Sequence, residues 1–238
     1  MNWTSGELKK KGLESLKDNF AQAYLVILML HMITDIPSSI LRMDDMISDL
    51  PPAGLVLMLM VFLAAAVLLA APLNVGGNAF FLEQRKQKAD YCLLWRYFTE
   101  GAGKYFSVVK GMFFRYLTVF AKLLIFIVPG IIGYYSTFFV PWILAQYPET
   151  SPGGAVERSK AMTKGQKMNI FIMQMTFAGW IILSVFLVYR FSLVLPAAWA
   201  HIVSIAVYAL PFVYYQAAVA ELYVKLSEPF NKDKDGSR

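Results

Sequence analysis

The sequence predicts an all-α polytopic membrane bundle of about six transmembrane helices, with amphipathic interfacial helices beside them. Three observations predict it. The 238 residues are 58% hydrophobic and 16% charged, against roughly 45–50% and roughly 25% in soluble domains. The apolar residues lie in long continuous runs, as in membrane spans, and do not alternate as barrel strands do. Nineteen of the 22 basic residues fall in segments that these runs would leave on one side of a membrane. Unpaired backbone groups are costly in hydrocarbon, so such runs must be helical there.

The chain reads as a single domain, and its elements follow in order. Thr4 and Glu7 have capping-box spacing and start a helix. Leu8, Leu13, Leu16 and Phe20 then recur at helical spacing among Lys9, Lys10, Lys11 and Lys17. That pattern predicts an amphipathic helix over residues 1–18 lying on the membrane surface. Span one is expected over Asn19–Thr34, closed by Asp35, Pro37 and Ser38. Acids mix with bases before it and no small-residue cleavage site follows, so it is expected to be retained as a span. An acidic amphipathic stretch follows, with Asp44, Asp45 and Asp49, ending at Pro51-Pro52.

Span two is expected over Gly54–Val75 and carries no charge. The connection from Asn78 to Gly103 mixes Arg85, Lys86, Lys88 and Arg96 with Phe80, Tyr91 and Trp95, a pattern for one or two interfacial helices. Span three is expected over Tyr105–Val128, and Pro129-Gly130 then turns the chain. Span four covers Ile131–Tyr147. The polar connection Glu149–Lys167 contains a helix start at Ser151-Pro152. Span five covers Asn169–Tyr189 and span six Ala197–Ala220, interrupted by Pro211. The charged tail, residues 231–238, is expected to be disordered. By the positive-inside rule both termini are cytoplasmic. Arg42 and Arg190 lie on the opposite side, and Lys122 belongs to neither.

Several stretches resemble the bacterial membrane family of domain-of-unknown-function 975. They are Ser5-Gly6-Glu7-Leu8-Lys9, Pro72-Leu73-Asn74-Val75-Gly76, Ile127-Val128-Pro129-Gly130-Ile131-Ile132 and Pro141-Trp142-Ile143-Leu144-Ala145. The most specific is Glu157-Arg158-Ser159-Lys160-Ala161-Met162-Thr163-Lys164-Gly165-Gln166-Lys167. The resemblance implies a multi-span protein of a bacterial plasma membrane and no established activity. The family is also distantly similar to membrane domains attached to some glycerophosphodiester phosphodiesterases.

The main candidate site is one face of span three. Ser107, Gly111, Arg115, Thr118 and Lys122 align at helical spacing. Lys122 lies about 10 Å deeper than Arg115 along the helix. A mid-bilayer charge costs at least about 2.5–3.5 kcal/mol, so this face should turn inward. One reading is a ligand-binding path for an anionic amphiphile through Arg115, Thr118, Lys122 and Glu221. The other has Lys122 snorkelling, or pairing with Glu221 or with carbonyls freed near Pro129 and Pro141. A second group, Arg85, Lys86, Lys88, Arg158, Lys160, Lys164 and Lys167, forms a basic cytoplasmic collar for lipid headgroups or a protein partner.

Other features carry less. Asn169, Met173, Thr176, Trp180 and Ser184 share a face suited to helix packing. His31 and His201 come from different helices, and Cys92 is expected to be a small buried residue. The aspartates of residues 44–49 read as a solvated face. No nucleotide-binding glycine loop, zinc motif or serine–histidine–acid set occurs. The expectation is a non-catalytic protein with no cofactor, metal or nucleic acid. It would bind or move a lipid-like or anionic amphiphile, with protection against membrane-active peptides as one use. The alternative is a scaffold that docks a partner through its basic face.

Overall fold

A computed structural model describes residues 3–41 and 50–235. The acidic stretch with Asp44, Asp45 and Asp49, Arg42, and residues 236–238 lie outside the described residues. Among those described there is no strand.

The first helix, α1 (Ser5–Leu16), begins as its capping box predicts, with the Glu7 N–H donating to the Thr4 hydroxyl at 3.2 Å. The apolar residues of the predicted face divide, with Leu13 and Phe20 exposed. Leu8 and Leu16 are buried, and Gly12 lies against the backbone of Ala217 and Ala218. A Cβ at position 12 would stand 2.8 Å from the Ala218 nitrogen. The bare glycine lets two helix backbones touch, so protein replaces lipid as the covering surface.

The helix α2 (Phe20–Leu41) continues past Asp35–Ser38, where the sequence predicts its end. A proline removes one helical bond and can kink a helix without ending it. The next helix, α3 (Pro52–Ala65), passes through a π turn, Ala66–Ala70, into α4 (Ala71–Gln84). The predicted boundary at Val75 is therefore internal. Val75 to Phe81 are buried, which holds the second half of this long helix inside the protein. At the base of α4, Asn19 donates to the Gln84 amide oxygen at 2.7 Å and to the Ala89 carbonyl at 2.8 Å. Gln84 in turn donates to the Ser15 carbonyl at 2.7 Å. These buried polar groups all find partners, as their burial requires.

The basic connection forms a 3-10 turn, Tyr91–Trp95, and α5 (Arg96–Thr99). Cys92 lies there exposed, contrary to the expectation of burial. The turn presses on α4: a Cβ at Gly76 would overlap the Leu94 carbonyl oxygen. Next comes α6 (Ala102–Ile125), after which the chain reverses at Phe126, φ −166°, three residues before Pro129. The expected span four is two helices, α7 (Ile127–Ser136) and α8 (Val140–Gln146). The polar connection after it holds α9 (Pro152–Thr163), capped by Ser151 as predicted. Span five is also two helices, α10 (Lys167–Met175) and α11 (Ala178–Ser192). The last, α12 (Ala197–Asp235), is still helical where an unstructured tail from Asn231 is expected.

Four stretches among the described residues are long and apolar enough to cross a membrane: Pro52–Gln84, Ile127–Gln146, Lys167–Ser192 and Trp199–Phe230. Phe20–Thr34 is a shorter apolar helix. By contrast, α6 contains Lys104, Lys110, Arg115 and Lys122, three of them in any stretch long enough to cross. The count of six is thus not reached on length and composition.

The packing is uneven along the bundle. One end holds the core, where α1, α4, α8, α9 and the second half of α12 bury Leu8, Phe80, Phe81, Ile143, Val156 and Tyr223. At the other end α3, α11 and the start of α12 expose Leu57, Met60, Ile182, Phe186 and Trp199. Apolar surface on that scale is what lipid covers. The Gly76→Ala substitution forces a methyl into the Leu94 carbonyl. It is expected to cost about 3 kcal/mol or more, measured as a fall in Tm of the detergent-solubilised protein.

Candidate functional site

Helix α6 turns its polar stripe toward α7 and α8, and most of the stripe is used there. Ser107 donates to the Pro148 carbonyl at 2.6 Å. Gly111 lies against Leu144. Arg115 donates through Nε to the Thr137 carbonyl at 3.1 Å and lies over the Tyr134 ring at 5.8 Å. Pro141, four residues after Thr137, has no N–H to return to that carbonyl. That carbonyl also accepts the Val140 N–H at 3.2 Å, so Arg115, and not Lys122, adds a second donor to it. Thr118 bonds only its own helix, at Phe114. The Lys122 stem runs against Gly133, where a Cβ would come within 2.7 Å of its Cδ.

Glu221 is not part of this set. It is held by Arg85, whose Nε and Nη2 reach its two oxygens at 2.6 and 3.0 Å. The ion pair joins the end of α4 to α12. One candidate ligand residue thus neutralises a residue expected in the headgroup collar. The rest of the collar divides. Lys86, Lys88, Lys160 and Lys164 are exposed, while the Arg158 guanidinium lies 4.7 Å from the Tyr147 ring centre.

The stretch with the most specific resemblance gains a structural account. Ser159 stands beside the gap between α7 and α8. Its hydroxyl accepts the Phe139 N–H at 3.2 Å and donates to the Ser136 carbonyl at 2.9 Å. Gly165 turns the chain from α9 into α10 at φ 72°, a conformation that favours glycine.

Two further cavities are lined mainly by residues outside the stripe. A cavity of about 490 Å³ is lined by His31, Thr34, His201, Ser204, Tyr208 and Phe212, with Ile181 and Val188. The two histidines, from α2 and α12, do converge. Among the described residues no third His, Cys, Asp or Glu joins them as a metal site. A second cavity of about 290 Å³ is lined by Met175, Phe177, Ala178, Pro211 and Tyr215, among others. Both cavities touch Ile181 and Phe212. The second is closed at its base by a relay in which the Tyr135 hydroxyl donates to Gln174, and Gln174 to the Tyr215 hydroxyl. Beside it Lys9 donates to the Thr176 carbonyl at 3.4 Å and lies over Phe177. Partial burial lowers the pKa of Lys9 below the usual lysine value.

Sequence reasoning missed this cleft. Gln174, a polar residue inside an apolar run, and Pro211, inside span six, were its signals. The helix break at Thr176 and Phe177, which opens the cavity, has no proline to mark it.

A strand-free bundle with long apolar helices and an outward apolar half defines an integral membrane protein. The family model described as "Protein of unknown function (DUF975)" matches residues 103–229, more than half of the chain, and the protein belongs to that family. The match includes the stretches at 127–132, 141–145 and 157–167 but not those at 5–9 and 72–76. No curated protein matches, and no solved structure does.

Two outcomes follow for the bonds above. Ser159→Ala leaves the Phe139 N–H and the Ser136 carbonyl without this partner, at about 1–3 kcal/mol for a buried group left unpaired. The Tm in detergent should fall, while Ser159→Thr should fall less. Arg85→Met strands a buried carboxylate at about 3–5 kcal/mol, and pairing it with Glu221→Met should recover most of that loss. A double-mutant cycle of thermal stabilities reads the coupling.

Proposed function

We propose that the protein is a non-catalytic component of the bacterial plasma membrane, with both termini cytoplasmic, that binds or translocates a lipid-like or anionic amphiphile. The observation that carries this reading is a pair of adjoining cavities that share Ile181 of α11 and Phe212 of α12, read as the two ends of one cleft. Its outer cavity is lined by His31, Thr34, His201, Ser204 and Tyr208; the Thr34 and Ser204 hydroxyls donate to carbonyls of their own helices and keep oxygen lone pairs that can accept from a polar head. Its inner cavity is walled by Met175, Phe177, Ala178 and Pro211, which suit an apolar chain. Ile181 and Phe212 belong to both cavities. A molecule with a polar and an apolar end matches that sequence of surfaces. The orientation rests on the distribution of basic residues.

The test is a plug at the junction. Ile181→Trp should exclude the apolar chain and reduce the lipid-like material that co-purifies with the protein, read by mass spectrometry after gentle solubilisation. Unchanged co-purification in a folded Ile181→Trp variant would sink the reading.

The second reading is a scaffold that docks a partner through its basic face. The exposure of Lys86, Lys88, Lys160 and Lys164 favours it. Under it, Ile181→Trp changes nothing, whereas neutralising Lys160 and Lys164 together with Arg158 abolishes partner capture from cross-linked membranes.

A further inference from the structure

The contact of α1 with α12 at Gly12 and Ala218 sets Trp3, two residues before α1, beside the end of α12. Trp3 is only 3% exposed, and among the described residues its indole Nε1 has no hydrogen-bond partner. An indole N–H can only donate, and a buried donor ordinarily meets an acceptor. Two openings touch this side chain. The smaller, of about 60 Å³, is also lined by Glu7, Lys11, Arg85, Glu221, Lys225 and Glu228. Its charges are spent on one another, in the pairs Glu7–Lys11, Arg85–Glu221 and Lys225–Glu228.

The larger opening, of about 320 Å³, brings Trp3 together with Lys164, Gln166, Lys225 and Glu228. That volume lies within the range of small-molecule sites. Gly165, at φ 72°, bends the chain between Lys164 and Gln166, and nothing stands within 4 Å of the place a Cβ would take there. The side chain of Lys164 is exposed and makes no ion pair among the described residues. Lys225 reaches Glu228 at 3.4 Å. Two ammonium groups against one carboxylate leave a positive charge in surplus. Gln166 accepts from Asn169 through its amide oxygen at 3.2 Å, which leaves its amide N–H groups as donors. The rest of the wall is apolar, with Leu226, Pro229 and Phe230. Donors and a surplus cation beside an apolar wall suit an oxyanion carried on an apolar body.

We propose that this opening, framed by Trp3, the Gly165 turn and the end of α12, binds a phosphate group. Trp3 and Gln166 donate to its oxygens, and Lys164 supplies the unmatched charge. A phosphate of either an anionic phospholipid or a small soluble compound has that chemistry. The lipid has a path to the site, because α10 begins directly after the Gly165 turn and exposes Met168, Phe171, Ile172 and Met175, a face that acyl chains can cover. None of the residues that line this opening lines either cavity of the cleft. The inference therefore stands apart from that reading and from the membrane orientation.

The test reads the indole N–H signals of the full-length protein, isotope-labelled at its five tryptophans, in a non-ionic detergent. Trp3→Phe identifies the Trp3 signal by removing it, and the other indole signals keep their positions if the fold is kept. Short-chain phosphatidylglycerol should move the Trp3 signal downfield and saturate it, because the N–H gains an acceptor. Short-chain diacylglycerol, which lacks the phosphate, should not. Inorganic phosphate at matched ionic strength separates the two sources: saturation of the same signal assigns a soluble phosphate, and no response assigns the lipid. Lys164→Gln should weaken the binding about fivefold, the loss of one charge, and Lys164→Arg should keep it. This arm needs no variant of Trp3, since the affinity can also be read by calorimetry. A Trp3 signal that neither phosphate probe moves overturns the proposal. So does an equal response to diacylglycerol, or an affinity that Lys164→Gln leaves unchanged.

Discussion

A carbonyl oxygen that loses its helical donor inside an apolar bundle must find another, and here helix α6 supplies it. Pro72 has no N–H for the Leu68 carbonyl, which takes the Tyr105 hydroxyl at 2.8 Å. Pro141 has none for the Thr137 carbonyl, which takes the Val140 N–H and Arg115. The Pro148 carbonyl takes Ser107. Unsatisfied backbone groups cost several kcal/mol in hydrocarbon, so these bonds fix where α6 sits against α4, α7 and α8. Ser159 completes the arrangement by bridging the gap that separates α7 from α8. Once α6 is pinned to the broken helices, its hairpin partner, the neighbouring α9 and the reversal at Phe126 have their positions set.

That constraint also decides what remains for function. A polar stripe committed to backbone carbonyls has little capacity left for a ligand. Tyr105, Ser107 and Arg115 of α6 are therefore structural, while among the described residues Lys110 and Lys122 make no ion pair. The cleft lies instead where α10 and α11 part at Thr176 and Phe177 and where Pro211 interrupts α12. There the amide of Gln174 ties three helices together without filling the space outside it. The Arg85–Glu221 pair acts similarly at the packed end. It removes one cation and one carboxylate from the candidate lists and returns a clamp between α4 and α12.

Much of the chain was legible residue by residue where local chemistry dominates. Thr4 and Ser151 cap helices because a side-chain oxygen beside free N–H groups is decisive within one turn. The apolar runs were legible because hydrocarbon tolerates little else. Errors fall where a neighbour overrides the local signal. Asp35 to Ser38 read as a stop but lie within α2. Leu8 and Leu16 of α1 are buried where Gly12 admits the α12 backbone, which only the paired structure reveals, while Leu13 stays exposed. Cys92 read as buried yet sits exposed on the short 3-10 turn. His31 and His201, 170 positions apart in sequence, share a cavity that no spacing announces.

The sequence by itself determined that this is a helical membrane protein, which surfaces are basic, and which family it belongs to. Those properties follow from composition and short-range pattern, since the cost of burying charge or bare backbone in lipid is paid residue by residue. Only the tertiary structure decided how many apolar stretches stand free, which carbonyl each polar side chain serves, and which cations remain without a counter-charge. These depend on contacts between residues distant in the chain, where prolines open bonds in one helix and another helix closes them.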